Sequence, residues 1–98
     1  MGIETVGRRI KRERIALGWT QRQLADTVGV GVPYVSKIEA ERETPSDELL
    51  MRIGQALNVD PDELLIVARR LPDEVAERFA SNPAEAVRFL RSWSEPKA

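Results

Sequence analysis

The sequence contains no cysteine and no histidine. Those absences remove disulfides, thiolate nucleophiles, imidazole bases and the usual zinc ligands together. A glycine-rich phosphate loop is also missing, and the carboxylates are scattered without a paired arrangement. Neither an enzyme nor a cofactor or metal site is therefore expected. Apolar runs extend for only a few residues, far below the roughly 20 that a bilayer requires. The N-terminus lacks the apolar core of a signal peptide, so the expectation is a cytoplasmic protein with no membrane partner. No segment alternates apolar and polar residues as a half-buried strand would, which leaves an all-α class.

What the chain has in abundance is helix punctuation. At 98 residues it is one small domain plus an appendage, a size that buries only about two-thirds of the unfolded surface. A second chain would supply the missing burial. A first helix is expected from about Thr5 to Leu17, with Val6, Ile10 and Leu17 inward and Gly18 at its end. Thr20 then offers a cap and Gln23, three residues on, completes a capping box. Leu24 and Val28 supply the apolar face of this second helix, and the small Ala25 lets a neighbour approach closely. Gly29 suits a left-handed helix end. Val30 points inward from the turn, and a third helix opens near Gly31 to Pro33, with Val35 and Ile38 as its buried stripe. Its outer side is expected to carry Val32, Pro33, Tyr34, Ser36 and Lys37. Ser46 caps a fourth helix after Pro45 that buries Leu49 or Leu50, Ile53 and Leu57. Asp60-Pro61-Asp62-Glu63 starts a fifth with Leu64, Leu65 and Ala68.

Gln21, Leu24, Ala25, Gly29, Val30, Val35, Ile38 and Glu39, followed by Ala56-Leu57-Asn58-Val59, carry a resemblance. The segment resembles the helix-turn-helix of the phage repressor and Cro family, the XRE-type regulators, from about Val6 to about Leu65. The resemblance implies a five-helix, lambda-repressor-like domain over residues 1–68. It further implies a sequence-specific transcriptional regulator that occupies double-stranded promoter DNA, as a repressor. By the same resemblance Gln21 is a phosphate clamp, and Arg42 with Arg9 or Arg14 adds charge contacts. Val32, Pro33 and Lys37 occupy the base-contact positions, with Tyr34 and Ser36 beside them. Arg14 and Glu39 match a largely buried ion pair.

Two departures stand out. Val32 and Pro33 can offer a base edge only apolar contact, most naturally to thymine methyl groups, which leaves Lys37 as the obvious donor. Where the family commonly places glycine after the third helix, this chain has Glu41. Either that site is mildly strained or the helix runs on.

Charge is unevenly placed. Residues 1–45 carry eight Lys or Arg against six Asp or Glu, and residues 46–98 seven against ten, making the net charge −1. Arg8, Arg9, Lys11, Arg12 and Arg14 form a basic cluster of the kind that neutralises phosphates, although they wrap around a helix and cannot all face one duplex. Residues 69–98 read as a helical hairpin opened by Leu71-Pro72-Asp73-Glu74 and Asn82-Pro83-Ala84-Glu85. It bears Val75, Phe79, Phe89 or Leu90, and Trp93, more aromatic surface than two short helices bury alone. It must pack on its own domain, on a second copy, or on another protein. A homodimer is the favoured expectation, with Trp93 and Phe89 as interface anchors. The competing class is a protein-interaction module, such as an antitoxin, that kept the fold with weak or no DNA binding.

Overall fold

The computed structural model describes residues 4–93, and among these it contains helices and no strand. Seven helices follow one another: α1 Val6–Ala16, α2 Gln21–Val28, α3 Val32–Glu39, α4 Asp47–Leu57, α5 Pro61–Val67, α6 Asp73–Ser81 and α7 Pro83–Ser92. The polar signals act where local chemistry puts them. Thr5 and Ser46 accept backbone N–H bonds from Arg8 and Leu49 at 3.2 Å each, capping α1 and α4. Thr20 and Gln23 form the reciprocal capping box of α2. Pro33 and Pro61 sit in first turns, where a missing N–H costs no helix bond.

The apolar stripes of α1 to α5 converge on one core. Ile10, Leu24, Val35, Ile38, Leu50, Ile53 and Leu64 are its most deeply buried side chains. Trp19, Val30 and Val59 pack against its edge. Two glycines set how closely the helices approach. A β-carbon at Gly7 would land on the carbonyl oxygen of Ile38, and one at Gly54 would come within 3.0 Å of Pro61 Cα and the Val59 carbonyl. Each crossing therefore requires the absence of a side chain on one partner.

Leu17 departs from expectation. It lies seven residues after Ile10 but is 45% exposed: α1 ends at Ala16, Leu17 is its cap, and the last buried position of the helix is Arg14. Trp19 covers the edge in its place, its N–H bonded to the Arg14 carbonyl at 3.1 Å.

The structure also resolves the alternatives at Glu41. Helix α3 stops at Glu39, and Glu41 takes a left-handed φ of 64°. Its N–H bonds to Ile38 O at 3.0 Å, and that of Arg42 bonds to Lys37 O at 2.8 Å. These two bonds are a Schellman closure, which satisfies the last carbonyls of α3 at the expense of a strained residue. Asn58 and Arg69 close α4 and α5 in the same left-handed conformation.

Helices α6 and α7 contain no buried residue. Their apolar side chains are not folded back into the core.

Glu41→Gly should raise unfolding free energy by about 1 kcal/mol, because it relieves the left-handed strain while the Arg8–Glu41 pair, 3.8 Å apart and exposed, contributes little. Urea titration would report this as a higher midpoint at unchanged slope. An unchanged or lower midpoint would show that Glu41 carries no strain.

Candidate nucleic-acid interface

The outer side of α3 is best described from the polar interior outward. Arg14 on α1 meets Glu39 at the end of α3 in a two-pronged pair, Nε to Oε2 at 2.7 Å and Nη2 to Oε1 at 2.9 Å. The two side chains are only 10% and 4% exposed. The third prong of the guanidinium, Nη1, donates to the Trp19 carbonyl at 2.6 Å, in the turn between α1 and α2. Gln21, the first residue of α2, donates its amide N–H to Glu39 Oε1 at 3.1 Å. One carboxylate thus ties the start of α2 and the end of α3 to α1. The Glu39 hydrogen bonds hold the Arg14 guanidinium above its ordinary pKa, against the opposing effect of burial.

On this frame α3 presents a narrow outer stripe. Pro33, Ser36 and Lys37, at spacings of three and four residues, are exposed on one side of the helix. Val32 and Tyr34 are not fully on that side. Both are half-buried and packed against the core. Gln21 is half-buried as well, with its amide group oriented by Glu39. Arg42 lies exposed just past the Schellman closure.

The basic cluster of α1 is largely neutralised within the protein. Arg8 faces Glu41, and Arg12 faces Glu4 at 3.0 Å and Glu13 at 3.8 Å. Arg9, only 16% exposed, is held by Glu13 at 2.8 Å and Glu63 at 3.3 Å. Burial lowers its pKa, but the two carboxylates together outweigh that effect and raise it. Arg9 and Arg14, expected to add charge contacts, are both paired within the protein: α5 brings Glu63 to Arg9, and α3 brings Glu39 to Arg14. Lys37 and Arg42 take part in no ion pair among the described residues. Arg22, next to Gln21 in the first turn of α2 and exposed, is likewise unpaired among them, and the sequence reading missed it. Its adjacency to Gln21 was the available signal.

The remaining expected residues lie far along the chain. Val75 and Phe79 on α6 are half-buried, while Leu90 and the Phe89–Trp93 pair of α7 are exposed. Phe89 and Trp93 are 61% and 69% exposed, and their ring centroids are 6.3 Å apart.

A family model described as Helix-turn-helix matches residues 10–64, the stretch that holds this whole frame. The chain belongs to the helix-turn-helix family of transcriptional regulators. That family consists of DNA-binding regulators and not of enzymes. The chain is similar to the transcriptional regulator ClgR of Mycobacterium tuberculosis, 38% identical over 65 residues that span 66% of this chain and 58% of that protein. Among solved structures it is similar to SinR of Bacillus subtilis, a master regulator for biofilm formation, in complex with DNA. That match is 34% identical, covers 62% of this chain and 98% of the other, and has a TM-score of 0.58. The clp gene regulator ClgR of Corynebacterium glutamicum matches over 94% of this chain and 92% of its own, with 29% identity and a TM-score of 0.60. That last likeness extends beyond the helix-turn-helix into α6 and α7. Among the described residues no helix is long and apolar enough to cross a membrane.

Removing one member of the central pair strands the other charge. Arg14→Met or Glu39→Leu alone should each cost about 3–5 kcal/mol of stability, and the double variant clearly less than the sum. Denaturant unfolding of the four proteins measures the coupling. Small, additive losses would mean that the pair is no more than two independent surface charges.

Proposed function

We propose that the chain is a sequence-specific DNA-binding regulator that works as a homodimer, reading a two-fold symmetric operator with α3 in the major groove and repressing by occupying promoter DNA. The observation that carries this reading is the outer stripe of α3, held rigidly by the Arg14–Glu39–Gln21 network and flanked by unpaired cations. In this reading Gln21, Arg22, Arg42 and the free N–H groups at the start of α2 hold backbone phosphates and set register. Lys37 donates to a guanine edge, Ser36 lies beside it, and Pro33 makes apolar contact. The half-buried Val32 and Tyr34 contribute their outer edges only. So few donors leave operator shape and flexibility a larger share of specificity. The DNA-bound relative SinR shares the fold that this docking requires.

The dimer is proposed from the tail. Phe89 on α7 and Trp93 just past its end are exposed with their ring centroids 6.3 Å apart, Leu90 is also exposed, and Val75 and Phe79 on α6 are half-buried. An isologous contact between two such hairpins covers this surface and places two reading helices about 34 Å apart, one duplex turn. The same exposed aromatics favour one other reading, a protein partner seated on the hairpin of a chain with weak or no DNA binding.

Selection of bound fragments from random duplex DNA should return a two-fold symmetric consensus. The affinity of a dimer neutralising six to eight phosphates should fall with log salt at a slope of about −5 to −7. A flat slope would favour the protein partner. Lys37→Ala should relax preference at one base pair per half-site by about 1–3 kcal/mol, whereas a uniform loss over all sequences would make Lys37 a phosphate contact. Trp93→Ala should shift sedimentation toward the monomer while leaving the helical content intact. An unchanged oligomeric state would remove the hairpin from the interface.

A further inference from the structure

Between α5 and the hairpin the chain runs through Arg69, Arg70, Leu71 and Pro72, and this crossing is anchored rather than free. Arg69 is left-handed, with φ at 64°, and the Arg70 N–H bonds back to Leu65 O at 2.8 Å. The Arg70 side chain then reaches across to the start of α4. Its Nη1 donates to the Pro45 carbonyl and to Asp47 Oδ1, both at 2.7 Å. Pro45 is fully buried, and its carbonyl lies just outside the hydrogen-bond ladder of α4, which begins with Leu50 N–H on Ser46 O. The guanidinium therefore satisfies an acceptor that the helix leaves over, and it does so on the loop that descends directly from α3 and Arg42. Leu71 and Pro72 continue beside Met51 and Leu65 in a shallow depression.

Of the contacts outside the reading site, this one joins the tail to the domain. The α6–α7 pair contains no buried residue, and among the described residues only Arg70 joins residues 70–93 to the domain by side-chain hydrogen bonds. We infer that Arg70 is a positioning residue for DNA recognition: its clamp on Pro45 and Asp47 fixes the direction in which the hairpin leaves the reading domain, and so the separation of the two reading helices. The inference rests on the dimer reading above. In a dimer joined through the hairpins, the gain from engaging a second half-site depends on how narrowly the connection defines the reach of the second domain. A stiff exit concentrates that gain on one spacing. A loose exit spreads it over several, because each base pair inserted between half-sites also rotates them about the duplex axis.

The test uses the full chain and a set of operators whose half-sites are moved apart or together by about one to three base pairs. Wild type should discriminate sharply for one spacing. Arg70→Ala should keep the same dimer dissociation in sedimentation equilibrium and the same affinity for a single half-site, but lose about tenfold of the discrimination between spacings. Arg70→Lys, which keeps the charge and donors, should retain most of it. Asp47→Ala should lose less than Arg70→Ala, since the Pro45 carbonyl remains. Unaltered spacing discrimination in an intact Arg70→Ala dimer would overturn the positioning role while leaving the dimer reading in place. A monomeric Arg70→Ala would make the residue part of the dimer contact, and an equal loss on single half-sites would make it a DNA or folding contact. Either result also overturns the positioning role. A wild-type chain that binds as a monomer would overturn the dimer reading and this inference together.

Discussion

The bonded pair of Arg14 and Glu39 is the constraint around which α1, α2 and α3 are arranged. A carboxylate buried this deeply is tolerable only if its lone pairs are occupied, and here they accept two guanidinium bonds and the amide of Gln21. The geometry of a planar guanidinium leaves little slack, so α1, the turn at Trp19, the start of α2 and the end of α3 hold one relative placement. Apolar packing among Ile10, Leu24, Val35 and Ile38 supplies the driving force for that assembly but would tolerate small slides. Directional bonds restrict those slides, and the base reading proposed for α3 needs that restriction.

The same economy governs the cations. Four arginines on α1 are matched by carboxylates from α1 itself, from the segment before it, from α5, from the end of α3 and from just beyond it. The positive charge left unpaired among the described residues then lies at Arg22, Lys37 and Arg42, with the exposed Lys11 remaining on α1. A net charge of −1 is then no obstacle to the proposed function, since the local field at the stripe of α3 matters more than the total. The acidic surplus of the C-terminal half lies outside the segment that holds that stripe.

The buried core and the exposed aromatic surface belong to different parts of the chain. Helices α1 to α5 carry the whole core, while α6 and α7 carry exposed aromatic surface and no buried residue. The closures at Glu41, Asn58 and Arg69 show that the core can hold non-glycine residues in left-handed conformations. The closure at Glu41 sets where α3 stops and hence where Arg42 emerges. That at Arg69 sends the chain toward the hairpin.

Much of this was legible in the residues alone. The capping box of Thr20 and Gln23, the turn at Gly29, the proline in the first turn of α3 and the start signal at Asp60 each depend on atoms within a few positions of one another. Spacing along the chain was therefore enough to locate the helices and to assign the all-α class. What it did not contain were the partners brought in from elsewhere: Glu63 on Arg9, the inward lean of Val32 and Tyr34, the exposure of Leu17, and the reach of Arg70 to Pro45. Hydrogen bonds of a helix close over four residues, so sequence by itself determined the elements and their ends. Ion pairing and burial between elements join residues as many as 54 positions apart, and only the packed tertiary structure decided which charges remain open and which side of α3 faces out.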